Sequence, residues 1–137
     1  DAEKVLDYLV EESESYDDSE LTLEKAKQIC VEYMTQSFTF LNPQKLIDPL
    51  WKFSSSLIKN EENYSQVINL LMHLAGMFER SLRQDTLVAP QEELELTERT
   101  ETFKQLEQSL NLLSRTFQIE MPKDEVYYLQ QLLAYQE

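Results

Sequence analysis

Apolar residues recur at helical spacing in five stretches of the chain. Within each stretch they fall three and four positions apart, as on the buried face of an amphipathic helix. The stretches begin near residues 23, 43, 64, 97 and 122. A shorter apolar stripe occupies residues 2–10, and no segment alternates apolar and polar residues for the length of a typical strand. The pattern predicts an all-α fold, a compact bundle of five helices plus a short N-terminal helical segment.

Capping residues indicate where these helices begin. Thr22 precedes the first stripe, and a threonine side chain can accept the amide hydrogen bonds that a helix leaves open at its start. Asn42 and Pro43 predict the start of the second helix, with asparagine as the cap and proline in the first turn. Thr97 and Thr100 are both candidate caps for the fourth helix.

Two acidic stretches and one proline interrupt the pattern. Residues 11–20 are acidic and serine-rich and predict an exposed linker. The chain is therefore expected to divide into this N-terminal part, residues 1–20, and one domain, residues 21–137. Residues 85–97 predict a long acidic connection, with Leu87, Leu94 and Leu96 as candidates to dock onto the bundle. Pro49 predicts a kink or a later start for the second helix.

Composition excludes several kinds of site. One glycine in 137 residues cannot supply the glycine-rich turns of a Rossmann fold or a P-loop. One cysteine, Cys30, excludes an intrachain disulfide, and together with one histidine it gives too few ligands for a zinc site. We therefore expect no cofactor and no metal. A single thiol fits a reducing, cytoplasmic compartment.

Charge narrows the possible partners. The chain carries 12 basic and 26 acidic residues, a formal net charge of −14. That balance argues against direct contact with nucleic acid or with an anionic membrane surface. No apolar run is long enough to span a bilayer. Because the sequence begins with Asp1 rather than methionine, we interpret it as a piece of a longer cytoplasmic protein.

The only histidine and the only glycine lie one helical turn apart. His73, Gly76 and Arg80 are expected to share a face of the third helix. Glycine inside a helix costs about 1 kcal/mol relative to alanine. In one interpretation, Gly76 permits close helix packing and His73 is a core residue. In the other, Gly76 gives a second molecule access to a phosphoryl-accepting His73, and Arg80 pairs with the phosphate.

No arrangement of residues predicts an enzyme. With 26 carboxylates, almost any acid–base pair can be drawn, and most of them belong to solvated helix faces. A di-iron bundle needs a glutamate three residues before histidine, whereas Leu70 occupies that position before His73.

Three segments resemble a known family. Residues 73–80 resemble the histidine-(x)6-arginine signature of the phosphotransferase-system regulation domain, a five-helix bundle of bacterial antiterminators and transcription activators. Residues 119–129 resemble its segment around a Pro-x-Asp-Glu motif. Residues 40–43, Phe-Leu-Asn-Pro, resemble a start found in sigma-54-dependent activators of the levan-operon type. The resemblance covers roughly residues 21–135.

The sequence departs from the family pattern at one position. Many of these domains carry a second histidine in the last helix, seven residues after the glutamate of the Asp-Glu pair. Leu132 occupies that position here. Only the role of the first histidine is therefore carried over, onto His73. The chain is most similar to a C-terminal, single-histidine copy of the domain.

The resemblance implies a sensor rather than an enzyme. His73 would accept a phosphoryl group from the phosphocarrier protein or from an enzyme IIB, and Arg80 would steady that group or shape the site. Gly76 would leave room for the donor. Asp124 and Glu125 are either acids that favour the first turn of the last helix or groups that orient His73 or pair with Arg80. For the C-terminal copy, the resemblance suggests inhibition by enzyme IIB when sugar is absent.

The resemblance also implies a dimer and attached modules. A homodimer would transmit the effect of the added charge on His73 to DNA-binding and ATPase modules outside this chain.

Two other functions remain open from the residues. One is a histidine phosphotransfer domain, although its usual lysine and glycine after histidine are replaced here by Gly76 and Met77. The other is a helical interaction module without phosphorylation.

Overall fold

The computed structural model describes residues 21–60 and 62–135, which form six helices and no strand. The predicted all-α class is confirmed, with one helix more than the five that were predicted. The predicted N-terminal helical segment and acidic linker lie outside the described residues. The helices are α1 (Leu23–Ser37), α2 (Pro43–Ser56), α3 (Tyr64–Leu82), α4 (Gln91–Thr97), α5 (Glu101–Thr116) and α6 (Lys123–Tyr135).

Side-chain caps begin three of these helices. Thr22, Asn42 and Thr100 each accept the amide hydrogen bond of the residue three positions on, at 3.1, 3.4 and 3.3 Å. These bonds satisfy donors that have no partner inside the helix. The predicted caps of α1 and α2 are confirmed, and of the two candidates for α5 the structure selects Thr100 over Thr97.

The connection after α3 differs from the prediction. It contains a short helix, α4, and α5 then begins at Glu101 rather than near residue 97. Of the three leucines expected to dock, Leu94 is buried, but Leu87 and Leu96 are exposed, so that expectation was wrong for two of them. A helix of two turns directs few residues inward, and α4 turns Leu94 toward its buried side. Helix α2 begins at Pro43 and continues through Pro49, so the later start considered for this helix was wrong.

The chain divides into two compact units at a point inside α3, between Glu79 and Arg80. In the first unit, α1 packs against α2, and Trp51 lies 5.9 Å from Tyr64 between ring centroids. In the second unit, α4 and α5 both pack against α6. Among the described residues, no helix is both long enough and apolar enough to cross a membrane.

A buried glutamate organises the loop between α1 and α2. The Glu79 side chain accepts backbone N–H bonds from Thr39 at 2.9 Å, Phe40 at 2.8 Å and Leu41 at 3.2 Å. Glu79 itself is 2% exposed. A buried carboxylate is costly unless it is hydrogen-bonded, and three successive amides meet that need. The loop is therefore fixed by a charge rather than by regular secondary structure.

Two glutamines occupy left-handed backbone positions. Gln84 and Gln118 both have φ of 58°, and they follow the ends of α3 and α5, where glycine is the usual residue. The single glycine of the chain, Gly76, lies inside α3 and does not have a positive φ. Its position is therefore not explained by a backbone conformation that requires glycine.

We expect Glu79→Ala to lower the free energy of unfolding by about 3 kcal/mol, because it leaves buried amides without their charged acceptor. Glu79→Gln should show an intermediate loss, since an amide can still accept through its oxygen. Glu32→Ala, on the exposed surface of α1, is the matched control and should change stability by less than about 0.5 kcal/mol. Urea denaturation measures all three, and equal stabilities for Glu79→Ala and Glu32→Ala would contradict the assignment.

Candidate functional site

His73 is the one exposed residue in the buried part of α3. From Val67 to Glu79 every residue is buried except Asn69, His73 and Gly76. Asn69 and Gly76 are half-buried, whereas His73 is exposed. The interpretation of His73 as a core histidine is therefore wrong. Its imidazole is accessible to a second molecule, on a helix that packing otherwise covers.

Gly76 lies on the same face of α3 as His73. Residues 69, 73 and 76 are spaced i−4, i and i+3, so they share one face of α3. Side chains in an α-helix lean toward its N-terminus. A side chain at position 76 would therefore project over the turn that carries His73. Glycine leaves no side chain at that point.

Arg80 forms a two-point ion pair in the second unit. Its Nε donates to Oε1 of Glu125 and its Nη2 donates to Oε2, both at 2.8 Å. The Glu125 side chain is fully buried, while that of Arg80 is 27% exposed. Paired charge-assisted bonds of this kind are strong and fix direction as well as distance. They fasten the end of α3 to the first turn of α6.

The first two turns of α6 also hold the segment before α4. Glu125 Oε1 accepts the N–H of Leu87 at 2.9 Å, and Asp124 Oδ2 accepts the N–H of Ala89 at 2.8 Å. The Tyr128 hydroxyl donates to the carbonyl of Val88 at 2.9 Å. The residues of the Asp-Glu motif thus bind a stretch of backbone that has no regular secondary structure of its own.

The structure sorts the predicted site residues into two groups. His73 and Gly76 lie in the first unit, and Arg80, Asp124 and Glu125 lie in the second. Glu125 contacts Arg80, which is one of the positions considered from the sequence. Asp124 and Glu125 do lie in the first turn of α6, but their carboxylates bind specific partners and are not merely solvated acids.

Sequence reasoning did not single out three residues that the structure shows to be important. Glu79 is the only charged residue in positions 64–79, and a lone carboxylate at the end of an apolar run is the signal that would have found it. Tyr128 binds the Val88 carbonyl, and Tyr127 donates through its hydroxyl to Glu93 on α4. Tyr127 and Tyr128 come just after Val126 in the Asp-Glu segment, but their partners Glu93 and Val88 are distant in sequence.

Cys30 is a packing residue. Its side chain is fully buried in the first unit. Burial in apolar surroundings disfavours the thiolate and raises the pKa of the thiol well above its ordinary value. Because the thiolate is the reactive form, we expect Cys30 to be inert.

These features describe an all-helical module that carries an exposed histidine on its most buried helix. The chain belongs to the PRD domain family, whose model matches residues 50–136, more than half of the sequence. The matched region contains His73, Arg80 and Glu125. The PRD family consists of regulatory domains associated with the phosphotransferase system and not of catalytic domains. Comparisons with curated proteins and with solved structures gave no significant match.

We expect Arg80→Ala to cost about 3 kcal/mol of unfolding free energy, because it leaves the Glu125 carboxylate buried without its guanidinium. A double-mutant cycle with Glu125→Gln isolates the coupling between the two side chains. The control is the same cycle on Lys123 and Glu98, whose more exposed ion pair spans 3.3 Å. That coupling should be less than about 1 kcal/mol. A coupling as small for Arg80 and Glu125 would contradict the assignment of a buried, paired charge.

Proposed function

We propose that the chain is a regulatory domain of a bacterial transcription activator and that phosphotransferase-system proteins phosphorylate it on His73. One observation carries the proposal: the only histidine is the exposed residue on the buried part of α3, and the only glycine lies one turn away. Membership of the PRD domain family supports it. We further propose that the domain extends over residues 21–137, of which the family model matches residues 50–136.

The chemistry is phosphoryl transfer to an imidazole nitrogen. That nitrogen attacks phosphorus, a P–N bond forms, and the bond between phosphorus and the donor breaks, with its electron pair staying on the donor. The donor is the phosphocarrier protein or an enzyme IIB. The protein's contribution is accessibility, since His73 lies on a rigid helix and Gly76 leaves space for the donor.

Arg80, Asp124 and Glu125 support the site by positioning. The guanidinium of Arg80 is held at two points by Glu125, which favours shaping of the site over direct contact with the phosphoryl group. Asp124 and Glu125 fix the segment after α3 through its backbone. Together these residues fix the end of the helix on which His73 lies.

The regulatory effect is electrostatic. Phosphorylation adds nearly two negative charges at pH 7 to a chain whose formal net charge is already −14. In a homodimer whose interface covers the His73 face, the added charge would repel the partner subunit. The resulting change in packing would pass to modules attached to this domain in the cytoplasm. The activator would thereby respond to the supply of a sugar.

We expect mass spectrometry at neutral pH to show one added phosphoryl group after incubation with the phosphocarrier system or with a phosphorylated enzyme IIB. His73→Ala should abolish it, because the chain has no other histidine. Asn69→Ala, on the same face of α3, is the matched control and should still be labelled.

Three results would contradict the proposal. Labelling that persists in His73→Ala would place the phosphoryl group elsewhere. Labelling of the wild type by a phosphorylated response regulator, and by no phosphotransferase protein, would indicate a histidine phosphotransfer domain instead. If no donor labels the folded wild type, the chain is a helical interaction module.

We expect a side chain at position 76 to slow phosphorylation without unfolding the domain. Gly76→Ala should stabilise α3 by up to about 1 kcal/mol and slow labelling only slightly. Gly76→Gln should slow labelling by about tenfold or more, which corresponds to about 1.4 kcal/mol in the barrier. Initial rates at fixed donor concentration measure the effect, with Asn69→Gln as the control. A wild-type rate in Gly76→Gln would show that Gly76 does not provide clearance.

A further inference from the structure

An open cavity of about 730 Å³ lies in the second unit, and none of the residues of the proposed phosphorylation site lines it. It is lined by the carboxyl ends of α3 and α5 and by the link between α5 and α6. Its volume falls within the range of small-molecule sites. The link contributes the buried side chains of Ile119 and Met121 as an apolar floor.

Three side-chain amides in the wall of this cavity are available to a ligand. The amide side chains of Gln84, Asn111 and Gln118 all line it. None of them forms a hydrogen bond through its side chain with another residue of the described chain. Each amide offers two donors and one acceptor oxygen. Three such groups around one cavity can bind a ligand whose own groups both donate and accept.

The backbone supplies an independent argument. Gln84 and Gln118 are the only non-glycine residues with positive φ in the part of the chain that the structure describes, and both line this cavity. A left-handed conformation costs a residue with a side chain roughly 1 kcal/mol or more, and glycine is the usual solution at a helix end. With glutamine rather than glycine at both positions, two amides line the cavity in spite of that cost. Strained residues cluster at ligand-binding sites.

The charges around the cavity disfavour anions. The carboxyl ends of α3 and α5 carry partial negative charge, and the whole chain carries −14. Arg115 and Glu120, which also line the cavity, are of opposite sign. The lining side chains therefore carry no net formal charge, and with the partial negative charge of the two helix ends this favours an uncharged ligand over an anion.

We propose that this cavity binds a small uncharged molecule with several hydroxyl groups, held by the amides of Gln84, Asn111 and Gln118 over the apolar floor. Hydroxyl groups both donate and accept hydrogen bonds, which matches the amides. The C–H groups of the ligand would lie against Ile119 and Met121. This site is separate from phosphorylation of His73 and does not depend on it.

The test is titration of the full chain with myo-inositol, D-glucose and maltose, followed through the side-chain NH₂ signals of the three amides. We expect saturable shifts with at least one of these compounds and weaker binding of glucose 6-phosphate. Gln118→Gly and Gln84→Gly should each raise Kd about tenfold, the loss expected for one hydrogen-bonding group. Each should also raise Tm by several degrees, because glycine relieves the left-handed backbone.

The opposite changes in affinity and stability distinguish a ligand-binding role from a structural one. Gln108→Gly, on the exposed face of α5, is the matched control and should lower Tm without changing Kd. The proposal is overturned if none of the three compounds gives a saturable shift up to about 0.1 M, a concentration that corresponds to negligible affinity. It is also overturned if glucose 6-phosphate binds as tightly as glucose, or if both glutamine substitutions leave Kd unchanged.

Discussion

Helix α3 carries apolar side chains around almost its whole circumference, and the rest of the structure depends on covering it. From Val67 to Glu79 burial leaves only Asn69, His73 and Gly76 outside the core. Such a helix cannot be stable at the surface, since its apolar area would face water in every direction. Packing covers all the other positions from Val67 to Glu79. The face with Asn69, His73 and Gly76 is therefore the one where chemistry with a second molecule can occur.

Two adjacent charges at the end of this helix are both satisfied, each within its own unit. Glu79 accepts three backbone amides of the loop between α1 and α2, and Arg80 is held at two points by Glu125. Buried charges of this kind specify geometry more than they add net stability, because desolvation offsets much of the attraction. Each of the two side chains is therefore held in a defined position within its own unit.

Local signals in the sequence predicted local structure well. Thr22 and Asn42 begin their helices as expected, because a cap needs only the residues within the next turn. The short helix α4 was missed, since seven residues give too few turns for a periodic pattern to be distinguished from an acidic connection. The exposure of Leu87 and Leu96 was also missed, because spacing alone does not show whether a neighbouring surface is available to cover a side chain.

By itself, the sequence determined the helical class, the starts of α1 and α2, and the position of the only histidine one helical turn from the only glycine. These are properties of neighbours along the chain, where helical geometry fixes which residues share a face. Only the tertiary structure decided that His73 is exposed and that Glu125, 45 residues away in sequence, binds Arg80. Burial and long-range ion pairing depend on which surfaces meet in three dimensions, and no spacing within a single helix contains that information.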